Sequence, residues 1–149
     1  MQSRREMLAR SVAALLVGAG VVPVRAAGAV AKAAFDAKTY DDALKALGVK
    51  PVESKDITFT APDIAENGAV VPIAASTTLP GVKRLLFLVE KNPFPLAASF
   101  ELGDAVETSI GTRIKMGQTS NVYAVAMLGD GRVLYAQKEV KVTLGGCGG

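Results

Sequence analysis

From Val52 to Leu144 the chain is a succession of short apolar and β-branched segments, broken roughly every ten residues by turn residues. That grammar excludes a helical bundle and demands a fold of many short strands. Ile57 and Phe59 alternate with Asp56, Thr58 and Thr60, the period of a half-buried strand. Ala69 to Thr78 is a further strand whose Pro72 lacks an N–H, which predicts an edge position or a bulge. Within Val82 to Glu90 the unbroken run Leu85-Leu86-Phe87-Leu88-Val89 predicts a strand covered on both faces, core rather than interface. Leu96 to Leu102 follows a Pro-rich turn. Glu107 to Met116, Ser120 to Leu128 and Arg132 to Leu144 complete the series, the last with a bulge expected around Gln137. Gly129-Asp130-Gly131 joins the final two as a short hairpin loop.

About seven strands with almost no helix between them predict a mainly β fold, an antiparallel sandwich of immunoglobulin type. The cysteine pair that pins antibody domains is absent, so the likeness is one of architecture. Ahead of the strands, Val30, Ala33, Ala34, Ala37, Tyr40, Leu44 and Leu47 fall at helical spacing, with a break between Asp36 and Thr39. Thr39 or Asp41 could cap the second part, Gly48 suits a left-handed helix end, and Pro51 prevents a restart. One N-terminal helix over residues 30 to 47 therefore precedes the sandwich, and 149 residues suffice for a single core.

The first 26 residues read as an address. Arg4-Arg5 precedes an apolar run from Val12 to Val22, and Pro23 leads to Val24-Arg25-Ala26, a small-residue cleavage pattern. The run is about half of the roughly 20 residues that span a bilayer as a helix. This layout predicts a twin-arginine signal peptide cleaved after Ala26, and a periplasmic mature protein with no membrane attachment. The twin-arginine route exports folded cargo, so a co-exported partner subunit is expected where no cofactor motif is visible. Charge supports the division. Four arginines and one acid lie before position 27, leaving thirteen basic and thirteen acidic residues for the remainder. The overall +3 therefore belongs to the leader, and the neutral body has no basic cluster for nucleic acid.

Histidine is absent, which excludes Ser-His and Cys-His catalysis and removes the commonest metal ligand. A single cysteine cannot build a zinc or iron–sulfur site by itself. No cofactor, no metal and no catalytic group are expected. The chemistry that remains is Cys147, set in the terminal sequence Gly145-Gly146-Cys147-Gly148-Gly149. The four glycines make a thin, flexible arm, and five extended residues reach about 17 Å. A thiol on such an arm can enter narrow clefts, and a thiolate bonds reversibly to sulfur. Its ordinary pKa near 8.5 leaves about a few per cent ionised at neutral pH, so activation falls to a partner's site.

These features resemble the SoxY family, the thiosulfate-oxidation carrier subunits of the periplasmic Sox system. The Gly-Gly-Cys-Gly-Gly terminus matches the family signature, and the leader and strand-rich body agree with it. So do the stretches from Glu66 to Pro72 and from Lys91 to Phe100. Read physically, Asn67-Gly68 is a turn, Pro93 and Pro95 hold a loop extended, and Phe94 packs in the core or against a partner. The resemblance implies a non-catalytic subunit of immunoglobulin-like fold, divided into a leader (1–26), a sandwich (27–144) and a carrier arm (145–149). It implies a heterodimer with a SoxZ-like subunit, with a disulfide-linked heterotetramer as a further form. Cys147 would receive thiosulfate from a SoxXA-like cytochrome, a SoxB-like hydrolase would release sulfate, and a sulfane dehydrogenase would oxidise the remaining sulfur.

Three rivals stand beside it. An exported β-sandwich could dimerise through an intermolecular Cys147 disulfide. A ubiquitin-like sulfur carrier also ends in Gly-Gly, but uses ATP-activated carboxylate chemistry and has fewer strands. A thiol–disulfide oxidoreductase would need Cys-x-x-Cys, which is missing.

Overall fold

The computed structural model describes residues 31–146. The leader, its cleavage point, Val30 and residues 147–149 lie outside them. Helix α1 covers residues 31–36, and after a break at 37–39 α2 spans Tyr40–Leu47, so two helices stand where the sequence predicts one, the second starting anew at the Thr39 cap. Nine strands follow: β1 (Val52–Glu53), β2 (Ile57–Thr60), β3 (Ile64–Ala65), β4 (Val71–Thr77), β5 (Val82–Val89), β6 (Leu96–Glu101), β7 (Ser109–Ile114), β8 (Ser120–Leu128) and β9 (Val133–Val142). One sheet runs β1-β9-β8-β5-β6 with β3 also on β9, and the other runs β2-β4-β7. The sandwich expected from the strand grammar is therefore present, with two short strands that the sequence pattern did not mark. Both pair parallel to β9, Val52 opposite Leu134 and Ile64 opposite Lys141, so they cover its outer edge against chance pairing.

β5 explains why its apolar run is continuous. Leu85, Phe87 and Val89 point between the sheets, where they meet Ile73, Ala75, Val122 and Ala124. Leu86 and Leu88 point the other way, into a second core with Ala34, Ala43, Tyr123 and Val125 under the helices. The helices form a third layer on the large sheet's outer face, and both faces of β5 are dry. Each fully buried side chain of this size contributes about 1.5–3 kcal/mol. The local signals around α2 act as read: the Thr39 hydroxyl accepts from the Asp42 N–H at 3.1 Å. Gly48 closes the helix at φ 70°. Asp41 and Asp42 in the first turn and Lys45 in the last suit the helix dipole.

Two strand details differ from expectation. The β8–β9 register runs unbroken through Gln137, which sits opposite Tyr123. The irregularities instead fall in β5, between Phe87 and Leu88 against β6 and between Val82 and Arg84 against β8. β4, which carries Pro72, is the central strand of its sheet and not an edge. β2 pairs only with Ala74 to Thr77, so the proline stands where β4 has β7 alone beside it. The missing N–H thus costs no ladder bond on the open side.

Lys138 on β9 secures the loop leading to β3. Its Nζ donates to the Ala61 carbonyl at 2.6 Å and pairs with Asp63 Oδ1 at 2.8 Å. That hydrogen bond, aided by the lysine charge, holds the Asp63 carboxyl below its ordinary value of 3.8. The pair is intact above pH 3.8 and disappears as pH falls through the lowered value. An NMR titration should place the Asp63 midpoint below 3.8, and Lys138→Met should return it. An unshifted midpoint in the wild type would dismiss the pair.

Candidate functional site

β9 ends at Val142 and delivers the C-terminal segment to one end of the sandwich. The descent is tied at each step. The Val142 N–H donates to Thr119 Oγ1 at 2.9 Å. Thr143 donates through its N–H to the Ala65 carbonyl at 3.1 Å and through its hydroxyl to the Glu66 carbonyl at 3.0 Å. The Gly68 N–H then donates to the Leu144 carbonyl at 2.7 Å, and the Gly146 N–H to the Met116 carbonyl at 2.9 Å. Met116 returns the link by donating its N–H to the Gly68 carbonyl at 2.7 Å. Three backbones thus meet: the 66–70 turn, the 115–118 loop and the root of the arm.

Glycine is a steric requirement at this junction. A Cβ on Gly68 would overlap the Met116 carbonyl and stand 2.9 Å from both the Gly146 nitrogen and Val142 Cγ1. A Cβ on Gly146 would lie 2.8 Å from the Ala69 nitrogen and Cα, and one on Gly145 would overlap the Gly117 carbonyl. The sequence reading assigned Gly145 and Gly146 to a freely flexible arm. Gly146 is hydrogen-bonded and in contact, and both glycines are present because backbone packs on backbone. Close approach is thus a second reason for glycine at these two positions, beside the flexibility expected from the sequence. Cys147, Gly148 and Gly149 themselves lie outside the described residues.

A second residue missed in the sequence braces the same loop. Asn92 is 5% exposed, and its side-chain amide donates to the Lys115 carbonyl at 2.7 Å and accepts from the Gly117 N–H at 3.1 Å. Ser120, 2% exposed, accepts from the Lys91 N–H at 3.0 Å. Among the described residues, these are the buried polar side chains. A buried amide needs partners, and an asparagine just after the apolar β5 was the signal available. The turn at Asn67 is as read, its Oδ1 accepting from the Ala69 N–H at 3.0 Å. Phe94 is not core: it is 42% exposed, with the Lys38 ammonium 3.6 Å above its ring. Val70 and Leu144, 52% and 66% exposed, flank the root with apolar surface.

Two hollows are lined by residues away from this junction. One of about 970 Å3 is lined by Lys55, Asp56, Thr77, Asp104 and Glu107. It sits at the far end of β4, about 20 Å from Val71 by strand rise. The other, about 580 Å3, is lined by Tyr40, Lys45, Lys50, Tyr123 and Tyr135. Tyr40 stacks on Tyr123 at 4.4 Å between ring centres. Burial pushes both phenols above their ordinary value of 10.0, so at neutral pH they are neutral and cannot serve as bases. Among the described residues no cluster of three or more His, Cys, Asp or Glu could hold a metal, and no helix is long and apolar enough to cross a membrane.

Comparison with known proteins bears directly on this junction. Residues 43–147 match the family model for the sulfur oxidation protein SoxY, a span that includes the junction residues 66–70, 115–118, 145 and 146 and the cysteine. The sulfur carrier protein SoxY from Chlorobium limicola f. thiosulfatophilum is similar in structure, with a TM-score of 0.62 and 38% identity. That match covers 70% of this chain and 96% of the other. A superoxide reductase (neelaredoxin) from Ignicoccus hospitalis is 18% identical with a TM-score of 0.50, over 58% of this chain and 79% of its own. At that identity the likeness extends to the sandwich fold alone. No curated protein sequence matches the chain.

Proposed function

The chain belongs to the SoxY family, and from that membership we propose that it is the periplasmic sulfur-substrate carrier of thiosulfate oxidation, with Cys147 as the covalent attachment point. The observation that carries this reading is the pairing of a lone cysteine with a glycine arm rooted at one end of a family sandwich. Residues 1–26 serve as a twin-arginine export signal, and the protein works in the periplasm beside a SoxZ-like subunit.

The chemistry is confined to one sulfur. The Cys147 thiolate and the terminal sulfur of thiosulfate join, and two electrons leave, one at a time, through the haem of a SoxXA-like cytochrome to a one-electron acceptor. The product is a Cys–S–S–SO3− conjugate. A SoxB-like hydrolase adds water across the outer S–S bond, releasing sulfate and two protons and leaving a Cys–S–S− persulfide. A sulfane dehydrogenase then oxidises the outer sulfur with oxygen atoms from water, releasing protons to solvent and electrons to the dehydrogenase's own acceptor. The chain contributes the thiolate and its presentation. It supplies no acid, base or metal to any step, in keeping with the absence of histidine.

Intact mass spectrometry of the protein isolated from its native host, before and after reduction, tests the reading. Reducible mass additions on Cys147 matching sulfur atoms, sulfite or thiosulfate are expected. A clean mass after thiosulfate feeding with the partner enzymes would rule carriage out in favour of the disulfide-dimerising sandwich.

A further inference from the structure

The chain has three asparagines, Asn67, Asn92 and Asn121. An asparagine amide is open to attack by the backbone nitrogen of the residue that follows it, and that residue sets the rate. Asn92 precedes Pro93, whose nitrogen has no proton to lose, and Asn121 precedes the β-branched Val122, which crowds the approach. Asn67 precedes Gly68, where no side chain stands in the way. We infer that Asn67-Gly68 is a site of spontaneous covalent modification, deamidation to aspartate and isoaspartate, which the folded junction holds in check. The inference stands on hydrogen bonds of the 66–70 turn and is independent of the sulfur chemistry.

The reaction needs a particular motion. The Gly68 nitrogen loses its proton and bonds to the Asn67 side-chain Cγ, the Cγ–Nδ2 bond breaks, and ammonia leaves. Water then opens the cyclic imide at either carbonyl, giving aspartate or an isoaspartate whose backbone runs through the former side chain. No electron is gained or lost. Asn67 is exposed, so water reaches its amide, whereas Gly68 is buried. The Gly68 N–H donates to the Leu144 carbonyl at 2.7 Å, and the Gly68 carbonyl accepts from the Met116 N–H at 2.7 Å. Asn67 Oδ1 accepts from the Ala69 N–H at 3.0 Å, and the Asn67 carbonyl from the Val70 N–H at 3.3 Å. Ring closure must break the first of these bonds and turn the peptide unit between the two residues, which the others oppose. A bulkier residue at 68 would slow the chemistry, but its Cβ would overlap the Met116 carbonyl. Packing therefore requires the reactive glycine, and hydrogen bonding protects it.

Modification is thus gated by local opening, because only a Gly68 freed from Leu144 and Met116 reaches the Asn67 side chain. Isoaspartate at 67 adds a methylene to the backbone of the turn and carries the Gly68 N–H away from the Leu144 carbonyl. A turn that has opened and reacted in this way does not close again in the same register. The pair makes a permanent record of each opening long enough for chemistry.

The test follows the fragment bearing residue 67 by mass spectrometry while the purified chain, with any subunit that co-purifies, stands in mildly alkaline buffer below its melting temperature. A synthetic peptide of residues 63–73 stands beside it as the unfolded reference. The peptide should lose ammonia from Asn67 at least about 10-fold faster than the folded chain. Asn92→Ala removes the brace beneath the 115–117 turn, and Thr143→Val removes the hydroxyl bond to the Glu66 carbonyl. Each should speed the reaction about 3- to 10-fold. Amides of β8 and β9 should keep their exchange protection in both, the sign that the domain remains folded. Should Asn92→Ala fail to fold, Thr143→Val carries the test alone. A peptide that keeps its amide would overturn the site itself. Equal rates in peptide and folded wild type would overturn the protection, and wild-type rates in the folded variants would overturn gating by the turn.

Discussion

Cys147→Ser should leave no detectable sulfur adduct and reduce thiosulfate-dependent electron transfer to below about 1% of the wild-type rate. The cause lies in the atom. A serine oxygen is essentially never ionised at neutral pH and cannot form the S–S bond on which each later step depends, whereas a cysteine is ionised to about a few per cent. No other thiol in the chain can substitute, since Cys147 is the only one. The replacement changes one atom, so thermal stability should remain within about 0.5 kcal/mol. Loss of transfer with unchanged melting separates a chemical role from a folding role. Transfer that survives while disulfide dimers vanish would refute carriage and favour the dimerising sandwich.

The second large effect is on stability. Phe87→Ala should destabilise the domain by about 3–5 kcal/mol, because a fully buried ring is removed from the middle of β5 and its surroundings collapse only in part. Phe87 sits opposite Ala98 on β6 and Ala124 on β8, so small neighbours leave the ring to fill the space between the sheets. It also lies 6.2 Å from the rings of both Phe59 and Phe100, edge-on to the latter. Such aromatic pairs add about 0.5–1.5 kcal/mol to simple burial. Domains of this size have about 5–15 kcal/mol in total, so the variant should melt at least about 10 °C lower. In urea the midpoint should fall at constant slope. Phe94→Ala, on a 42% exposed ring, should cost below about 1 kcal/mol and serves as the control. Equal losses from the two would mean that the apolar run of β5 is not the centre of the core.

Much of the fold was legible because its signals are local. Leu85 to Val89 had no polar residue to offer a solvent face, which required cover on both sides, and the helices and the second sheet provide it. Thr39 and Gly48 bracket α2 through bonds that span three or four residues, well within what a short window of sequence reveals. The two-residue strands β1 and β3 were not legible. Val52-Glu53 and Ile64-Ala65 are too short to display a period of two, and only the presence of the β9 edge makes them strands. Pro72 was misplaced for a related reason. A proline excludes a hydrogen bond on one side of a strand, and whether that side is open depends on how far the neighbour β2 extends.

The residue order alone determined a β-rich sandwich, a capped helix and one thiol among glycines, since periodicity, capping and the absence of histidine are properties of the chain itself. Only the tertiary structure decided why Gly68, Gly145 and Gly146 stand where they do. A glycine that admits a second backbone reads the same in sequence as one that confers flexibility, and the atoms that tell them apart belong to Met116, Gly117 and Ala69, distant in the chain. Asn92 carries the same lesson: its buried amide has meaning only once the 115–117 turn is folded over it. Backbone-to-backbone contacts between loops have no side-chain periodicity, so they leave no pattern to read until the chain has folded.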